Sequence, residues 1–364
     1  MFFLSPLSLY LNGSLVLSRF FTSAADDWYC GSALLKPICD LLQNACANSL
    51  TKQEAKSVFG MYHSARQIHP DNPVKPSMHN QLDLNSLNAE VKKNVAAALA
   101  EDLGGGSSHG DISASLIPQD QQANATVITR EDGVFCGRAW VDETIQQVDA
   151  NIAIQWHVKD ADALVANQTL FTLTGSARSL LTVERTMLNF VQLLSGTATR
   201  TSGYVALVDG HKAQLLDTRK TIPGLRLAQK HAVRCGGGSN HRIGLFDAFL
   251  LKENHVAAAG GISKAIGLAQ ASHPGKTIEV EVETLDELNQ ATQAGADIAL
   301  IDNFSIADTE EAVRRSEGKI LLEASGGIEA DTIRKIAATG VDFISSGDLT
   351  KSVEPLDLSM RFTA

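Results

Sequence analysis

Basic residues are in the minority in this sequence. Of its 364 residues, 31 are Lys or Arg and 41 are Asp or Glu, which gives a formal net charge of −10. A general nucleic-acid binder needs a positively charged surface, so the composition argues against that class and we expect no nucleic-acid partner. If the protein binds an anion, a local group of cations must hold it.

Long hydrophobic runs are also missing. No apolar stretch approaches the ~20 residues that span a bilayer. The opening segment, MFFLSPLSLYLNGSLVLSRFFTSAA, is interrupted by Ser, Pro, Asn and Gly, and its first cation, Arg19, follows the apolar part. A signal peptide has its basic residues before the apolar part. We therefore expect no membrane partner and a cytoplasmic location.

Cysteine is scarce, with five residues at positions 30, 39, 46, 136 and 235. The number is odd, no C-x-x-C pair occurs, and the spacing of zinc ligands is absent. These features predict reduced thiols, as is usual for cytosolic proteins.

The residue pattern divides the chain into four segments. Residues 1–77 show no sustained alternation of strands and helices, and we interpret them as an upstream extension, either disordered or the result of a misassigned start. Residues 78–187 are predicted to form an N-terminal α+β domain. Residues 188–350 carry a regular repeating pattern, and residues 351–364 form a C-terminal segment expected to pack back on the N-terminal domain.

The N-terminal domain is predicted from helical periodicity and from strand-like stretches rich in β-branched residues. A glycine at position 104 is placed to end its first helix. The predicted helices cover 87–104 and 183–208, and the predicted strands cover 125–131, 152–158 and 168–175.

Six short apolar runs alternate with helical patterns in the regular segment, and the last four begin about 20 residues apart. Such alternation in one direction implies a parallel sheet and a β/α barrel. The six predicted strands cover residues 213–218, 247–252, 277–283, 297–302, 319–324 and 341–346.

Polar residues follow every one of these strands, and their charges are segregated. From Asp217 to His255 there are seven Lys or Arg against three acids, whereas from Thr277 to Asp302 there are seven acids and no Lys or Arg. The active sites of β/α barrels lie at the carboxyl ends of the strands. One half of that rim is therefore expected to favour anions, and the other half could hold a divalent cation through oxygen ligands.

Three glutamates, Glu279, Glu281 and Glu283, alternate along one strand and share one face. Acids that point into a barrel are costly unless they are paired or bound to metal. Internal salt bridges and a ligand site both remain open, and we expect Glu279 to be structural and the other two to lie near a ligand.

Two glycine turns, SGG at 325–327 and SSG at 345–347, end the last two strands. Their backbone amides suit a phosphate, and barrels often bind phosphate at this place. Asp348 would repel a phosphate if its carboxylate pointed inward.

The other cationic segments could each be either a solvent-exposed turn or part of a binding site. The segment CGGGSNHR (235–242) is read as a flexible glycine loop that carries His241 and Arg242, and Arg219 and Lys220 stand side by side after the first barrel strand. Lys252 alone would suit a lyase or aldolase that forms a Schiff base.

Four stretches together resemble the quinolinate phosphoribosyltransferases, or carboxylating nicotinate-nucleotide pyrophosphorylases, of the type II phosphoribosyltransferase family. They are DTRKTIPGLR, GGGSNHRIGLFDAFLLKENH, IEVEVETLDELNQATQAGADIALIDNF and LLEASGGI, and the resemblance runs from about Leu84 to the C-terminus. It implies an α/β fold in which an incomplete (open) β/α barrel follows a smaller N-terminal α+β sandwich domain.

The family joins quinolinate to 5-phosphoribosyl-1-pyrophosphate (PRPP) and releases nicotinate mononucleotide, pyrophosphate and carbon dioxide, with Mg²⁺, in de novo NAD biosynthesis. The resemblance implies a homodimer with shared sites, in which Arg185 of one subunit completes the quinolinate pocket of the other. The quinolinate residues implied within a subunit are Arg219, His241, Arg242 and Lys252.

The resemblance also implies the groups that hold PRPP and the metal. Lys220 would contact PRPP, and Glu281 and Asp302 would hold the ribose hydroxyls and Mg²⁺. The residues implied to cradle the 5-phosphate are Ser325, Gly326, Gly327, Ser346 and Gly347.

One local departure concerns the last turn, SSGDLTKS (345–352), where the family often has SVGALTHS. Ser346 and Asp348 thus replace small apolar residues beside the expected phosphate. The alternatives to a phosphoribosyltransferase are the lyase using Lys252 and a catalytically silent binding protein on the same fold.

Overall fold

The computed structural model describes residues 82–104, 110–328 and 330–363. The extension at residues 1–77, and the start of the N-terminal domain expected at residue 78, lie outside these ranges.

Helix α1 (Leu84–Leu103) opens the described chain. The Asp83 carboxylate accepts a hydrogen bond from the Ser86 amide, and the helix ends at Gly104, whose φ is 80°. Glycine adopts this left-handed conformation without steric cost. The predicted helix and its terminating glycine are confirmed.

A four-stranded antiparallel sheet forms the centre of the N-terminal part, in the order β12–β1–β5–β3. Its strands are β1 (Gln122–Thr129), β3 (Ala153–Trp156), β5 (Thr169–Ser176) and β12 (Leu358–Thr363). The last strand thus returns from the far end of the sequence and pairs with β1. A short pair, β2 (Gly133–Val134) with β4 (Ala163–Leu164), and helix α2 (Arg138–Val148) complete this part.

Helix α3 (Ala177–Val208) connects the two parts of the protein. It runs without a break through residues 187 and 188, where the sequence pattern had placed a boundary, so both parts share it. Leu180 and Val183 belong to the N-terminal hydrophobic core, whereas Tyr204 and Val208 belong to the core of the second part.

The second part is a six-stranded parallel sheet in the order β6–β11–β10–β9–β8–β7. Its strands are β6 (Gln214–Leu216), β7 (Phe249–Leu251), β8 (Ile278–Val282), β9 (Ile298–Asp302), β10 (Leu321–Ser325) and β11 (Phe343–Ser345). Within the described residues β6 and β7 do not pair with each other, so the barrel is open between them. The predicted incomplete β/α barrel, with all six of its strands, is confirmed.

Helices cover the outside of the barrel sheet. They are α4 (Arg226–Cys235), α5 (Glu253–Ala259), α6 (Ile262–Ser272), α7 (Leu285–Ala294), α8 (Ile306–Ser316), α9 (Ile333–Ala338) and α10 (Asp348–Lys351). Val280 and Val282 of β8 are fully buried in the core that the sheet shares with Ile266 and Leu288 of these helices. Across the part of the chain that is described, no helix is both long and apolar enough to cross a membrane.

Candidate active site

The carboxyl ends of the six barrel strands form one rim, because neighbouring strands are parallel. Most residues that the sequence pattern assigned to a site lie in a strand of this barrel or in the turn that follows one. The exceptions are Arg185 on α3 and His241 and Arg242, which lie in the segment between α4 and β7. The rim therefore brings together residues that are more than 100 positions apart in the sequence, such as Lys220 and Gly347.

Arg219 and Arg242 supply the cationic side of the rim. Arg219 is exposed after β6, whereas Arg242 is buried and donates from Nη1 to the carbonyl of Ala248 at 3.2 Å. Burial lowers the pKa of Arg242, and the nearby charge of Arg219 lowers it further. Two guanidinium groups whose charges act on each other favour the binding of an anion beside them.

A buried network fixes the main chain that carries His241 and Arg242. Asp217, at the end of β6, pairs with Lys230 of α4, and both side chains are fully buried. Asn240 donates to Asp217 at 2.6 Å, and the amide of His241 donates to Asp217 at 2.9 Å. Lys230 also donates to the carbonyl of His241 at 3.0 Å. Lys230 is therefore a neutralised structural cation, although the sequence pattern counted it with the rim.

The glycine segment before His241 is closely packed, and its interpretation as a flexible loop is wrong. A Cβ atom on Gly236 would lie 2.3 Å from the carbonyl oxygen of Ala198, and one on Gly238 would lie 2.9 Å from Cγ2 of Thr201. Both contacts are with helix α3. Only glycine permits this approach, and it holds the loop against the helix.

His241 lies on the floor of the rim rather than at its surface. Its Nε2 atom is 3.0 Å from Glu279 of β8 and 3.4 Å from Glu323 of β10, and all three side chains are buried. Glu279 is buried beneath the rim, where its carboxylate contacts His241 and its charge also acts on Arg242.

The protonation of this cluster follows from its hydrogen bonds. Burial lowers the pKa of His241, and the carboxylates of Glu323 and Glu279 raise it to about 9. However, the Arg242 amide donates to Nδ1 at 2.7 Å, which requires a free lone pair there. The ring proton that faces Glu279 is therefore on Nε2. Burial and the charge of Glu279 raise the pKa of Glu323 to about 8, so the two carboxylates of this cluster are not both ionised at neutral pH.

Lys252 and Glu281 form an ion pair across the rim, with Nζ and Oε2 2.5 Å apart. Lys252 is half exposed at the start of α5, whereas the carboxylate of Glu281 is largely buried. Burial raises the pKa of Glu281, the charge of Lys252 lowers it, and Asp302 at the end of β9 raises it. Glu281 and Asp302 thus form the acidic half of the rim, while Glu283 is exposed on its outer side.

The first glycine turn follows β10 and touches the end of β9. Ser325 pairs with Asp302 in the parallel register, and the Asn303 amide donates to the Ser325 carbonyl at 3.2 Å. Gly326 has a φ of 97°, and a Cβ atom there would lie 2.3 Å from Oδ1 of Asn303. Gly327, with a φ of 54°, continues the turn at the surface.

The second glycine turn follows β11 and lies beside the first. Ser346 is buried, and its hydroxyl donates to the Ile328 carbonyl at 3.2 Å, so it braces the two turns from below. Lys220 lies across Gly347, because a Cβ atom on that glycine would be 2.7 Å from Cδ of Lys220. The Thr350 hydroxyl donates to the Lys220 carbonyl at 2.7 Å and holds the lysine segment to this turn.

Asp348 is turned away from the glycine turns. Its carboxylate pairs with Arg200 of α3 and accepts a hydrogen bond from the Tyr204 hydroxyl at 2.6 Å. Burial raises the pKa of Asp348, but Tyr204 and Arg200 outweigh it and lower the pKa to about 2. The negative charge of Asp348, which stands where the family often has a small apolar residue, is thus neutralised by Arg200 and hydrogen-bonded by Tyr204, both on α3.

Arg185 lies on an exposed part of α3, apart from the residues above. It lines a surface depression together with Glu101, Asp102, Asn189 and Leu225. Among the described residues, no hydrogen bond or ion pair joins Arg185 to the barrel rim. Within one subunit the structure therefore brings the other site residues together but does not bring Arg185 to them.

Sequence reasoning assigned no individual role in the site to four of its residues: Asp217, Lys230, Asn240 and Glu323. A sequence signal existed for Asp217 and Glu323, because each directly follows two leucines in a predicted barrel strand. An acid inside such a strand needs a buried partner. Nothing local marked Lys230, since lysines on helices are usually exposed.

Two family models match the chain, in the order of the two parts described above. The model for "Quinolinate phosphoribosyl transferase, N-terminal domain" matches residues 111–195, and the model for the C-terminal domain matches residues 197–361. Together they cover more than half of the sequence, and they meet inside helix α3.

Relatives and solved structures agree with the family models. A probable nicotinate-nucleotide pyrophosphorylase (carboxylating) of Bacillus subtilis is 40% identical over 275 residues, 75% of this chain and 94% of the relative. The chloroplastic nicotinate-nucleotide pyrophosphorylase of Oryza sativa subsp. japonica is 37% identical over 310 residues, 79% of this chain and 80% of the relative. The solved structure of the nicotinate-nucleotide pyrophosphorylase from Francisella tularensis is 51% identical and has a TM-score of 0.72, covering 76% of this chain and 97% of that one. The chain belongs to the quinolinate phosphoribosyltransferase family.

Proposed function

We propose that this chain transfers the phosphoribosyl group of PRPP to quinolinate and forms nicotinate mononucleotide, pyrophosphate and carbon dioxide for NAD biosynthesis. One observation carries the proposal: a single rim holds two arginines on one side, two carboxylates on the other and two glycine turns beside them. Quinolinate is a dicarboxylate and PRPP is a polyphosphate with ribose hydroxyls, so the charges of the rim match both substrates. The names of the relatives support the same reaction.

Quinolinate binds on the cationic side in this proposal. Arg219 is exposed and free to turn toward a carboxylate, while Arg242 is fixed by its bond to Ala248. Lys252 would reach the second carboxylate by exchanging its partner Glu281 for the substrate. His241 acts from below, where its bond to Glu279 and the Arg242 amide bond hold the ring and its neighbour in place. Arginine pairs hold carboxylates in a defined orientation.

The 5-phosphate of PRPP occupies the glycine turns in this proposal. Gly326, Gly327 and Gly347 leave room for close approach, and Ser325 offers a hydroxyl at the edge. Lys220 already lies across Gly347 and would supply a positive charge to the phosphoribosyl substrate. Ser346 contributes by bracing the turns.

Magnesium is part of the proposal because the acidic half of the rim offers the ligands that it prefers. Glu281 and Asp302 are oxygen donors at the ends of neighbouring strands, and the charge of Asp302 helps to raise the pKa of Glu281. Mg²⁺ is held by carboxylates together with substrate oxygens and water. When bound by these two residues and PRPP, it would neutralise charge on the pyrophosphate leaving group.

The reaction follows from the placement of these groups. Pyrophosphate leaves C1 of the ribose with the bonding electron pair, and the carboxylates of Glu281 and Asp302 stabilise the positive charge that develops there. The arginine side holds the quinolinate nitrogen opposite C1, where it forms the new bond. The ring becomes a pyridinium, its neighbouring carboxylate departs as carbon dioxide, and the electron pair left on the ring carbon takes a proton from water. No protein nucleophile is needed.

The test is a turnover assay of the purified full chain with quinolinate, PRPP and Mg²⁺, followed by mass measurement of the product. We expect nicotinate mononucleotide, and we expect Arg219→Ala to lower kcat/KM by at least about a hundredfold, or about 2.7 kcal/mol. Arg314→Ala on α8 is the matched control, because its side chain is mostly exposed and outside the rim. Absence of the product would overturn the proposal.

The role of Arg219 can fail separately from the reaction. If the product forms but Arg219→Ala stays within about twofold of the parent, a change of only about 0.4 kcal/mol, Arg219 does not bind quinolinate. Among the alternatives, a Schiff-base lyase is disfavoured because the Lys252 ammonium is paired with Glu281. Borohydride in the presence of substrate would trap such an imine.

We also propose that the functional unit is a homodimer in which the partner subunit's Arg185 completes the quinolinate pocket. The exposed position of Arg185, away from the rim of its own subunit, supports this arrangement. A cytoplasmic location remains part of the proposal, and the buried free thiols of Cys136 and Cys235 suit a reducing compartment.

A further inference from the structure

Four potential metal ligands meet away from the barrel rim. They are Cys136, Asp160, His231 and Cys235, and one ligand atom from each lies within 4.8 Å of all the others. The two cysteines are buried, while His231 and Asp160 are about one quarter exposed. None of the four belongs to the site proposed above, and the spacing of the cysteines in the sequence gave no sign of a metal.

The distances fit a tetrahedral ion. Zinc bonds of about 2.0 to 2.3 Å place a nitrogen and an oxygen ligand about 3.4 Å apart, and a nitrogen and a sulfur ligand about 3.6 Å apart. In the structure His231 Nε2 lies 2.9 Å from Asp160 Oδ2 and 3.6 Å from Cys235 Sγ. For these two pairs the difference from a tetrahedral zinc site is about 0.5 Å or less.

The contacts of the His231 imidazole distinguish a metal site from a catalytic triad. In a Cys-His-Asp triad the thiol and the carboxylate bind opposite ring nitrogens. Here both contact the same atom, Nε2 of His231. One nitrogen carries one proton at most and cannot donate well to both groups. Ligands that converge on one ring nitrogen point to a shared cation at their centre.

The surroundings hold the ligands in this orientation. The second carboxylate oxygen of Asp160, Oδ1, accepts hydrogen bonds from the amides of Gly137 at 3.0 Å and Arg138 at 3.1 Å. The main chain of Cys136 is fixed on both sides by the Ser195 hydroxyl. Such outer contacts orient metal ligands in proteins. His231 and Cys235 stand four residues apart on α4 and thus share one helix face.

We infer that Cys136, Asp160, His231 and Cys235 form a structural Zn²⁺ site. Two thiolates, an imidazole and a carboxylate are a ligand set typical of zinc, and four protein ligands leave no open position for catalysis. Cys136 and Asp160 come from the N-terminal part, whereas His231 and Cys235 come from a barrel helix. The ion would join the two parts directly before the glycine segment that carries His241 and Arg242.

The first test measures metal in the full chain, purified without added chelator after growth with zinc. We expect about one Zn²⁺ per chain by elemental mass spectrometry, and its release by a mercurial that reacts with thiolates. Cys136→Ser and Cys235→Ser should each lose most of the zinc. Cys46→Ser is the matched control, because it removes a cysteine that is not one of the four ligands, and it should retain the metal.

A second measurement needs no variant and so remains valid if the serine variants fail to fold. The metal-free, reduced chain is titrated with Co²⁺, whose absorption spectrum depends on its coordination geometry. We expect intense tetrahedral d–d bands and thiolate charge-transfer bands that disappear when Zn²⁺ is added. A reduced chain that binds neither ion, or a Cys136–Cys235 disulfide found in the native protein by non-reducing mass spectrometry, would overturn the inference. Both readouts are independent of turnover, so they do not bear on the proposed reaction.

Discussion

At the scale of single residues, the site depends on its glycines, which have no side chain, as much as on its charged residues. Gly347 has a φ of −71°, which any residue adopts, so its backbone does not require glycine. Space requires it, because Lys220 crosses directly over its Cα. Gly326 differs, since both its positive φ and its contact with Asn303 exclude a larger residue. A substitution at Gly347 therefore tests the position of Lys220 without adding backbone strain.

Replacing Gly347 by alanine is expected to displace Lys220 without disturbing the fold. The new methyl group would lie 2.7 Å from Cδ of Lys220, so the lysine must leave the turn. We expect kcat/KM for PRPP to fall by about tenfold or more, equivalent to about 1.4 kcal/mol, with a small change in Tm. Steady-state kinetics at saturating quinolinate, together with a thermal melt, measure both quantities.

The control for that substitution is Gly267→Ala on α6, where a Cβ atom would meet nothing within 4 Å. Alanine favours a helix over glycine by about 1 kcal/mol, so this variant should keep its kinetics and melt at an equal or higher temperature. Unchanged PRPP kinetics in Gly347→Ala would mean that the place of Lys220 above this turn does not matter.

At the scale of elements, β6, α4 and the glycine segment are tied together by one buried ion pair. Burial raises the pKa of Asp217 and lowers that of Lys230, so each group is charged only because its partner is present. Breaking such a pair leaves an uncompensated charge in the interior. The orientation of His241 and Arg242 therefore depends on a contact that no substrate touches.

Lys230→Met is expected to destabilise the protein by about 3 to 5 kcal/mol, because the buried carboxylate of Asp217 loses its counter-ion. Urea unfolding followed by circular dichroism measures this loss. Asp217→Asn combined with Lys230→Met should recover part of it, since the unpaired charge is then gone.

An exposed pair gives the matched control for that experiment. Lys319 and Glu317 are about two-thirds exposed, and such pairs contribute at most about 1 kcal/mol. Lys319→Met should thus leave the unfolding midpoint nearly unchanged. A Lys230→Met variant as stable as this control would contradict a structural role for the buried pair.

The elements were predictable from the sequence where periodicity decides the structure. The six barrel strands recur with a regular spacing, and each lies within the stretch predicted for it or at most one residue beyond. The rim followed from the general rule that parallel strands end on one side. Gly104 was predictable as a helix end because a left-handed residue at that place is almost always glycine.

Contacts between distant segments were not predictable, because no local pattern encodes them. Cys136 and Cys235 are 99 positions apart in the printed sequence, and neither has a second cysteine nearby to suggest a ligand pair. From the sequence alone, Lys230 is expected to be an exposed residue of a helix. In the folded protein it is buried beside β6 and the glycine segment. The pairing of His241 with Glu279 and Glu323 likewise needs three elements to meet inside the barrel.

At the scale of the whole molecule, the proposed shared pocket can be tested by mixing two inactive variants. A subunit with Arg185→Ala keeps its own Arg219, and a subunit with Arg219→Ala can still offer Arg185 to its partner. In a random mixture half of the dimers contain both variants, and one of their two sites is intact. We expect roughly a quarter of the parent activity to return.

The mixture must be refolded or co-expressed so that subunits exchange, and each variant alone should stay inactive. Mixing Arg219→Ala with Arg242→Ala is the control, since both residues are proposed to act in the same subunit and each intact copy then lies in a different pocket. Equal recovery in the two mixtures, or none in either, would contradict a pocket completed by Arg185 of the partner subunit.

The place of β12 has a consequence for how this molecule is made. β1 pairs with β12 on one side and β5 on the other, yet the entire barrel is translated between β5 and β12. On the ribosome, β1 therefore remains an unpaired sheet edge until the last strand emerges from the exit tunnel. Exposed edges of this kind recruit other chains. The nascent chain thus passes through a period in which association with its neighbours competes with completion of its own N-terminal sheet, and slow translation would lengthen that period.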